Sequence, residues 1–326
     1  MNLKEIPPVT CHSCRIEAVK AGKGRNSIQR YKCQQCGKRF SEPQEKPFGA
    51  DVRLPKEKEK VRMILTCLLE GNSVRSTARL CDVEPKTVLA MLALAGANCE
   101  RILGRTIRNV PVTDVQCDEI WGFVQKKEAH KWPWEAHDNS IGDAYCFVAI
   151  ERNSKLILNF ALGRRDQATT DQFIEGVRAA TAPQRFQITT DGFQPYKSAI
   201  TTTLSDRADF GMLIKVYAQD PEGERRYSPA EVVDATPKAI MGHPDKKRIC
   251  TSHVERQNLS IRMGMRRMTR LTNAFSKKWE NLWAAYCLWF AFYNFCRIHQ
   301  ALRVTPAMQA GITDRVWDLE NLISPL

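Results

Sequence analysis

Two cysteine pairs constrain the start of this chain more tightly than any other feature. Cys11 and Cys14 form one Cys-x2-Cys step, and Cys33 and Cys36 form a second after eighteen intervening residues. That spacing lets each pair grip one side of a tetrahedral Zn²⁺ while the residues between them form a short β-ribbon. Tyr31 and Phe40 flank the second pair and can supply a small core, and Gly37 relieves the tight turn behind it. Residues 1–48 are therefore expected to fold as a zinc ribbon around one structural Zn²⁺. A closed four-thiolate site leaves no open coordination position, so this metal is excluded from catalysis. Seven Lys/Arg between Lys20 and Arg39 give the ribbon an affinity for polyanions.

The same bias runs through the whole chain. Its formal net charge is +13 over 326 residues, with 43% apolar content, which is globular and directs attention to nucleic acid. No basic, apolar, small-residue leader begins the sequence, and the most apolar run, Ala284 to Phe295, is shorter than the roughly 20 residues a bilayer requires. The expected setting is the cytosol, at the nucleoid of a prokaryote, with no membrane partner. Twelve cysteines there fit thiols and metal ligands better than a disulfide framework.

After a linker rich in charge and proline, residues 49–104 read as a helix-turn-helix domain. An amphipathic helix from Val61 to Leu69 stops at Gly71, Ser73 caps a second, and Pro85 opens a third that carries Lys86 and Thr87 to Leu92. Lys86 and Thr87 would enter a major groove. From residue 105 the periodicity changes to that of an α/β domain. Strands are expected at 115–123, 143–150 and 155–162, then a helix at 169–180, then a strand at 186–190 ending in Asp191-Gly192, and a further strand at 211–217. Three strands, a helix and another strand is the ribonuclease-H-like order, a mixed sheet with helices. Residues 219–250 read as an inserted polar loop, and Phe275 to Gln300 as an aromatic core helix or dimer interface.

Asp118 stands inside a strand, where aspartate is disfavoured, and Asp191 closes another. Glu119 alternates to the opposite face of the strand, so only one of the neighbours is expected in a site. Glu255 is the only acidic residue between Lys246 and Lys278, against ten Lys/Arg. A lone carboxylate on a basic helix suits a metal ion held beside a phosphate backbone. Ser252-His253-Val254-Glu255 also reads as a capping box, which would need no metal.

Taken together, the Cys-x2-Cys pairs, Asp118-Glu119-Ile120-Trp121, Thr190-Asp191-Gly192, Val254-Glu255-Arg256-Gln257-Asn258 and Tyr293-Asn294-Phe295-Cys296-Arg297 resemble the DDE transposases of insertion sequences, nearest to the insertion-sequence-one type. The resemblance implies that Asp118, Asp191 and Glu255 hold two Mg²⁺ or Mn²⁺ ions. One would activate water against the scissile phosphate and the other would stabilise the leaving 3′ oxygen, after which the freed 3′-hydroxyl attacks target DNA in line. It further implies double-stranded DNA as partner, both terminal inverted repeats and target, and a homodimer or larger homo-oligomer on it. Asn258, Arg262, Arg266, Arg267 and Arg270 are the expected phosphate contacts. The competing reading is a DNA-binding regulator whose C-terminal domain does no chemistry.

Overall fold

The computed structural model describes residues 9–11, 13–24, 29–41, 58–217 and 232–323. It divides into two compact units, Met1–Asp51 and Val52–Leu326.

In the first unit β1 (Val19–Lys23), β2 (Gln29–Lys32) and β3 (Arg39–Ser41) form an antiparallel sheet in that order. Tyr31 and Phe40 face each other across β2 and β3 and stack with centroids 6.1 Å apart, which is the small core the sequence suggests. Gly37 has φ +69°, left-handed backbone that a residue with a Cβ adopts at a penalty. Cys11 and Cys33 are buried at the base of this ribbon.

The second unit begins with α1 (Lys58–Leu69), α2 (Val74–Leu80) and α3 (Pro85–Thr106). Ser73 caps α2 by accepting from the Ser76 N–H at 3.1 Å, and Pro85 opens α3. Lys86 is exposed and Thr87 half-buried at the start of α3. The expected third helix therefore exists, but it runs fourteen residues past Leu92. Gly96, a weak helix former, is kept because α7 (Trp279–Ala291) crosses there: a Cβ at Gly96 would lie 2.5 Å from the Ala284 Cα. α3 is long and apolar enough to cross a membrane, yet Val88, Met91, Leu92, Ala95, Cys99 and Ile102 are buried inside the unit. Because α3 packs on α7, no break between compact units falls at residue 105, where a separate domain was expected to start.

Among the described residues, the sheet of this unit has six strands, in the order β6 (Ile157–Gly163), β5 (Gly142–Glu151), β4 (Asp114–Val124), β7 (Phe186–Thr190), β8 (Ala208–Tyr217) and β9 (Val232–Met241). β4 (Asp114–Val124), β5 (Gly142–Glu151) and β6 (Ile157–Gly163) form an antiparallel meander. α4 (Gln167–Ala180) then crosses back, burying Phe173, Ile174 and Val177, so that β7 (Phe186–Thr190) lies parallel to β4. This is the ribonuclease-H-like arrangement. α5 (Pro195–Thr203), not foreseen from sequence, precedes β8 (Ala208–Tyr217), which runs parallel to β7.

The 219–250 segment departs from the expected loop. Residues 218–231 lie outside the described part, but β9 (Val232–Met241) is an edge strand antiparallel to β8. Its composition hid it: Pro237 and exposed polar residues are tolerated at an edge where one side of the strand makes no ladder. α6 (Ser252–Gly264) follows, and the aromatic stretch forms α7, with Tyr286, Leu288, Trp289 and Phe290 in the core. A π-helical turn at Phe292–Cys296 aims Asn294 at the sheet. The Asn294 amide accepts from the Ile157 N–H at 3.0 Å and donates to its carbonyl at 2.9 Å, completing the outer edge of β6 as another strand would. Two short helices, α8 (Pro306–Gln309) and α9 (Leu319–Ile323), end the described chain.

Candidate active site

The register of two strands brings the first two aspartates together. β4 and β7 pair in parallel from Asp114 opposite Gln187 to Gln116 opposite Thr189. Asp118 and Asp191 each stand two residues further on, so they are level where the ladder has ended. Lapsed pairing leaves room between the strands for carboxylates. Asp191 accepts from the Phe193 N–H at 3.0 Å, which fixes the turn it closes.

Alternate residues of β4 then hold α6. The buried Asp114 accepts from Arg152 and from Arg248, just before α6, each at 3.1 Å. Gln116 accepts from the His253 and Val254 N–H groups at 2.9 and 3.3 Å, satisfying donors that a helix N-terminus leaves open. Asp118 accepts from the Asn258 amide at 2.8 Å. This ladder lays α6 along the strand, and Glu255 stands one turn before Asn258.

The capping box does not form. Thr251 is the cap, with the Glu255 N–H donating to its carbonyl at 3.0 Å, and Ser252 already lies within the helix. The Thr251 hydroxyl donates to Glu255 at 2.6 Å, and Lys215 pairs with the same carboxylate oxygen. Glu255 keeps 45% of its side chain exposed, and its carboxylate bonds to Thr251 and Lys215; it does not belong to the group of carboxylates that lie within 4.8 Å of one another.

Glu119 corrects the alternation argument. Carboxylate oxygens of Asp118, Glu119 and Asp191 all lie within 4.8 Å of one another, a spacing compatible with oxygen ligands of one hard cation. Strand alternation separates side chains across a flat sheet, but here both residues lie beyond the stretch of β4 that pairs with β7, although β5 still pairs with them. Burial, and then the charges of Glu119, Asp191 and Glu255, push the Asp118 carboxyl up to about 8. Burial and the Asp191 charge raise Glu119 as well, opposed by Tyr196 and Arg165. Such crowding is what a divalent cation relieves. Sequence alone carried one signal for Glu119, its adjacency to Asp118; Arg165, which touches Glu119 and Asp191, carried none.

The expected phosphate contacts divide. Arg266 and Arg270 are exposed. Arg262 instead donates to the Met268 and Trp121 carbonyls at 2.9 and 3.2 Å, and Arg267 to the Ser276 hydroxyl and Asn281 carbonyl at 2.7 and 3.0 Å. Burial lowers Arg267 to about 10. These two guanidiniums pin the segment after α6 to the domain, which corrects their assignment as phosphate contacts. Asn258 is likewise engaged, with Asp118.

In the other unit, the sulfurs of Cys11, Cys14, Cys33 and Cys36 also lie within 4.8 Å of one another, with Cys11 and Cys36 3.7 Å apart. Thiolates at about 2.3 Å from a tetrahedral Zn²⁺ would be separated by about 3.8 Å. The Cys14 and Ser13 N–H groups draw the Cys11 thiol down to about 7, while crowding by Cys36, burial and Cys33 raises Cys14 to about 12. The set fits one structural zinc.

Residues 142–213, from β5 into β8, match the IS240-type transposase family described as a DDE domain. The match contains Asp191 and Arg165. A ribonuclease-H-like sheet with paired aspartates on adjacent parallel strands, together with this match, defines the class: a DDE domain. Within that class, it is the segment 142–213 that is similar to the DDE domain of an insertion-sequence transposase family. No curated protein matches it. Among solved structures, a piggyBac transposase synaptic complex with hairpin DNA is 10% identical, with 77% of this chain and 55% of that chain covered and a TM-score of 0.29. The chain thus spans about half the length of that transposase.

Proposed function

We propose that the protein is a transposase of the insertion-sequence-one type that binds the ends of its element and carries out DNA cleavage and strand transfer by in-line phosphoryl transfer. The observation that carries this reading is the convergence of Asp118 and Asp191 at the open end of two parallel strands, with Glu119 within 4.8 Å of both and Glu255 borne on α6, which is fastened alongside. Asp118, Asp191 and Glu255, with Glu119 adjoining, would hold the divalent cations a DDE domain implies, Mg²⁺ or Mn²⁺; bound there, these supply Lewis-acid stabilisation of the attacking and leaving oxygens. Asn258 orients Asp118 by its amide and leaves the other carboxylate oxygen available. Thr251 and Lys215 hold Glu255 at the rim.

DNA is engaged by charge and by shape. Lys86 and Thr87 at the start of α3 present a recognition helix, Arg266 and Arg270 bind backbone phosphate, and the zinc ribbon adds a separate basic module. The working form is a homodimer or larger homo-oligomer on DNA, at the nucleoid.

The test is a plasmid carrying the coding region with its own flanking DNA. Wild-type protein with Mg²⁺ is expected to nick at the element ends and join the freed 3′ ends to target. Asp118→Asn and Asp191→Asn should bind that DNA normally and do neither. Appreciable Mg²⁺-dependent cleavage by either variant removes that residue from the site, and binding without cleavage by the wild type favours the regulator reading.

A further inference from the structure

The connection between β6 and α4 sets Arg165 beside the carboxylates. Its backbone is anchored: Asp166 caps α4 by accepting from the Thr169 N–H at 2.9 Å, and the Thr170 hydroxyl donates to the Asp166 carbonyl at 2.7 Å. From there the guanidinium donates through Nε to Glu119 Oε2 at 3.0 Å and lies 4.0 Å from the Phe193 ring centroid. Its Nη2 stands 3.6 Å from Asp191 Oδ2.

The two carboxylate contacts are unequal. The Glu119 side chain is 3% exposed and its bond to Arg165 has ordinary length, whereas the Asp191 contact is longer than the roughly 2.7–3.2 Å of an N–H···O bond. Arg165 itself keeps 40% of its side chain exposed. A buried carboxylate and an aromatic ring therefore clamp a guanidinium whose open side faces solvent at the mouth of the site. The planar fork of arginine matches two phosphate oxygens at once.

We propose that Arg165 is a phosphodiester ligand of this site and that Glu119 is the residue that positions it. The identity of the ligand, a backbone phosphate of the DNA strand lying at the carboxylates, rests on the function proposed above. Glu119 then has a reason to be buried beside Asp118: its charge keeps the guanidinium in place when Asp191 is occupied otherwise.

The experiment measures binding of the full chain to a mixed-sequence duplex oligonucleotide, with no divalent cation added, across a range of salt. Arg165→Gln should lower the slope of log K against log salt by about 0.9, the release expected from one phosphate, and weaken binding alike for every sequence. Arg165→Lys should keep the slope, since the charge remains, but bind several-fold more weakly because the fork is lost. Glu119→Gln should do the same, the guanidinium being charged but no longer clamped. Thermal melting of each variant separates these effects from unfolding. If Arg165→Gln does not fold, the other two variants decide: an internal ion pair with no ligand would leave both binding like wild type, and that result overturns the proposal. Wild-type slope and affinity in folded Arg165→Gln overturns it equally. Cleavage is not read, so a failure here leaves the cleavage and strand-transfer reading intact, and a failure of that reading does not alter these binding curves.

Discussion

Asp118 concentrates the electrostatics of the site. Its carboxyl is pushed up to about 8 by burial and by three neighbouring acids, against an ordinary value near 4. Below about pH 4 it is protonated both folded and unfolded and makes no difference to stability. Between about 4 and 8 the unfolded chain ionises it first, so its contribution turns increasingly unfavourable as pH rises and levels off above about 8. Asp118→Asn should therefore stabilise the metal-free protein at pH 9 by an amount on the order of a few kcal/mol, with the gain vanishing near pH 4. Melting curves across pH check this, and added Mg²⁺ should narrow the difference by stabilising only the wild type. Glu255 behaves differently because it is half exposed and its ion pair is at the surface. Glu255→Gln should change stability by no more than about 1 kcal/mol while abolishing strand transfer. A variant that still transfers strands would remove Glu255 from the site and leave Glu119 as the third carboxylate. Neither the capping-box pattern nor strand alternation settled these roles in advance: Thr251 takes the cap one residue earlier, and Glu119 reaches Asp118 and Asp191 where β4 has left β7 but still pairs with β5.

Among the elements, regular strands were legible and exceptions were not. β4, β5, β6, α4 and β7 follow from alternation and helical periodicity because each buries one continuous apolar face. The sequence reading follows α3 only to Leu92, and the helix that accommodates Gly96 beyond it is 188 residues away in sequence, at Ala284. Arg262 and Arg267 were concealed for another reason: apart from the Trp121 carbonyl, their partners lie only 6 to 14 residues away, but they are backbone carbonyls and a serine hydroxyl, which carry no pairing signal in a sequence. Gln116 belongs here too. It is a buried amide in a strand, and its role at the start of α6 has no local signature. Gln116→Ala should lose the bonds to the His253 and Val254 N–H groups and destabilise by about 1–2 kcal/mol. Hydrogen exchange should show faster opening at residues 252–258 than at β5, because the defect lies at one end of one helix. Uniform acceleration across the sheet would mean that Gln116 supports the core and not the docking of α6.

At the scale of the whole molecule, the net charge of +13 anticipates salt-sensitive DNA binding, and exposure separates the cations proposed to contribute from those engaged within the fold. Replacing exposed Arg266 and Arg270 with alanine should reduce the salt slope by about 1.8 without altering sequence preference. Arg267→Ala should act through stability, lowering the melting temperature, because it leaves the Ser276 hydroxyl and Asn281 carbonyl without their donor. Filter binding over a salt series distinguishes the two classes. The ladder between β4 and α6 also has a consequence in time. Asp118 and Asn258 are 140 residues apart, and a ribosome adding about 5–20 residues each second needs roughly 7–28 s to make the second after the first. β4 can pair with β5 early, as a neighbour in sequence, but the carboxylates cannot converge until α6 has emerged. A nascent chain therefore passes through a long interval in which its amino-terminal helices can already form while the chemical centre does not yet exist.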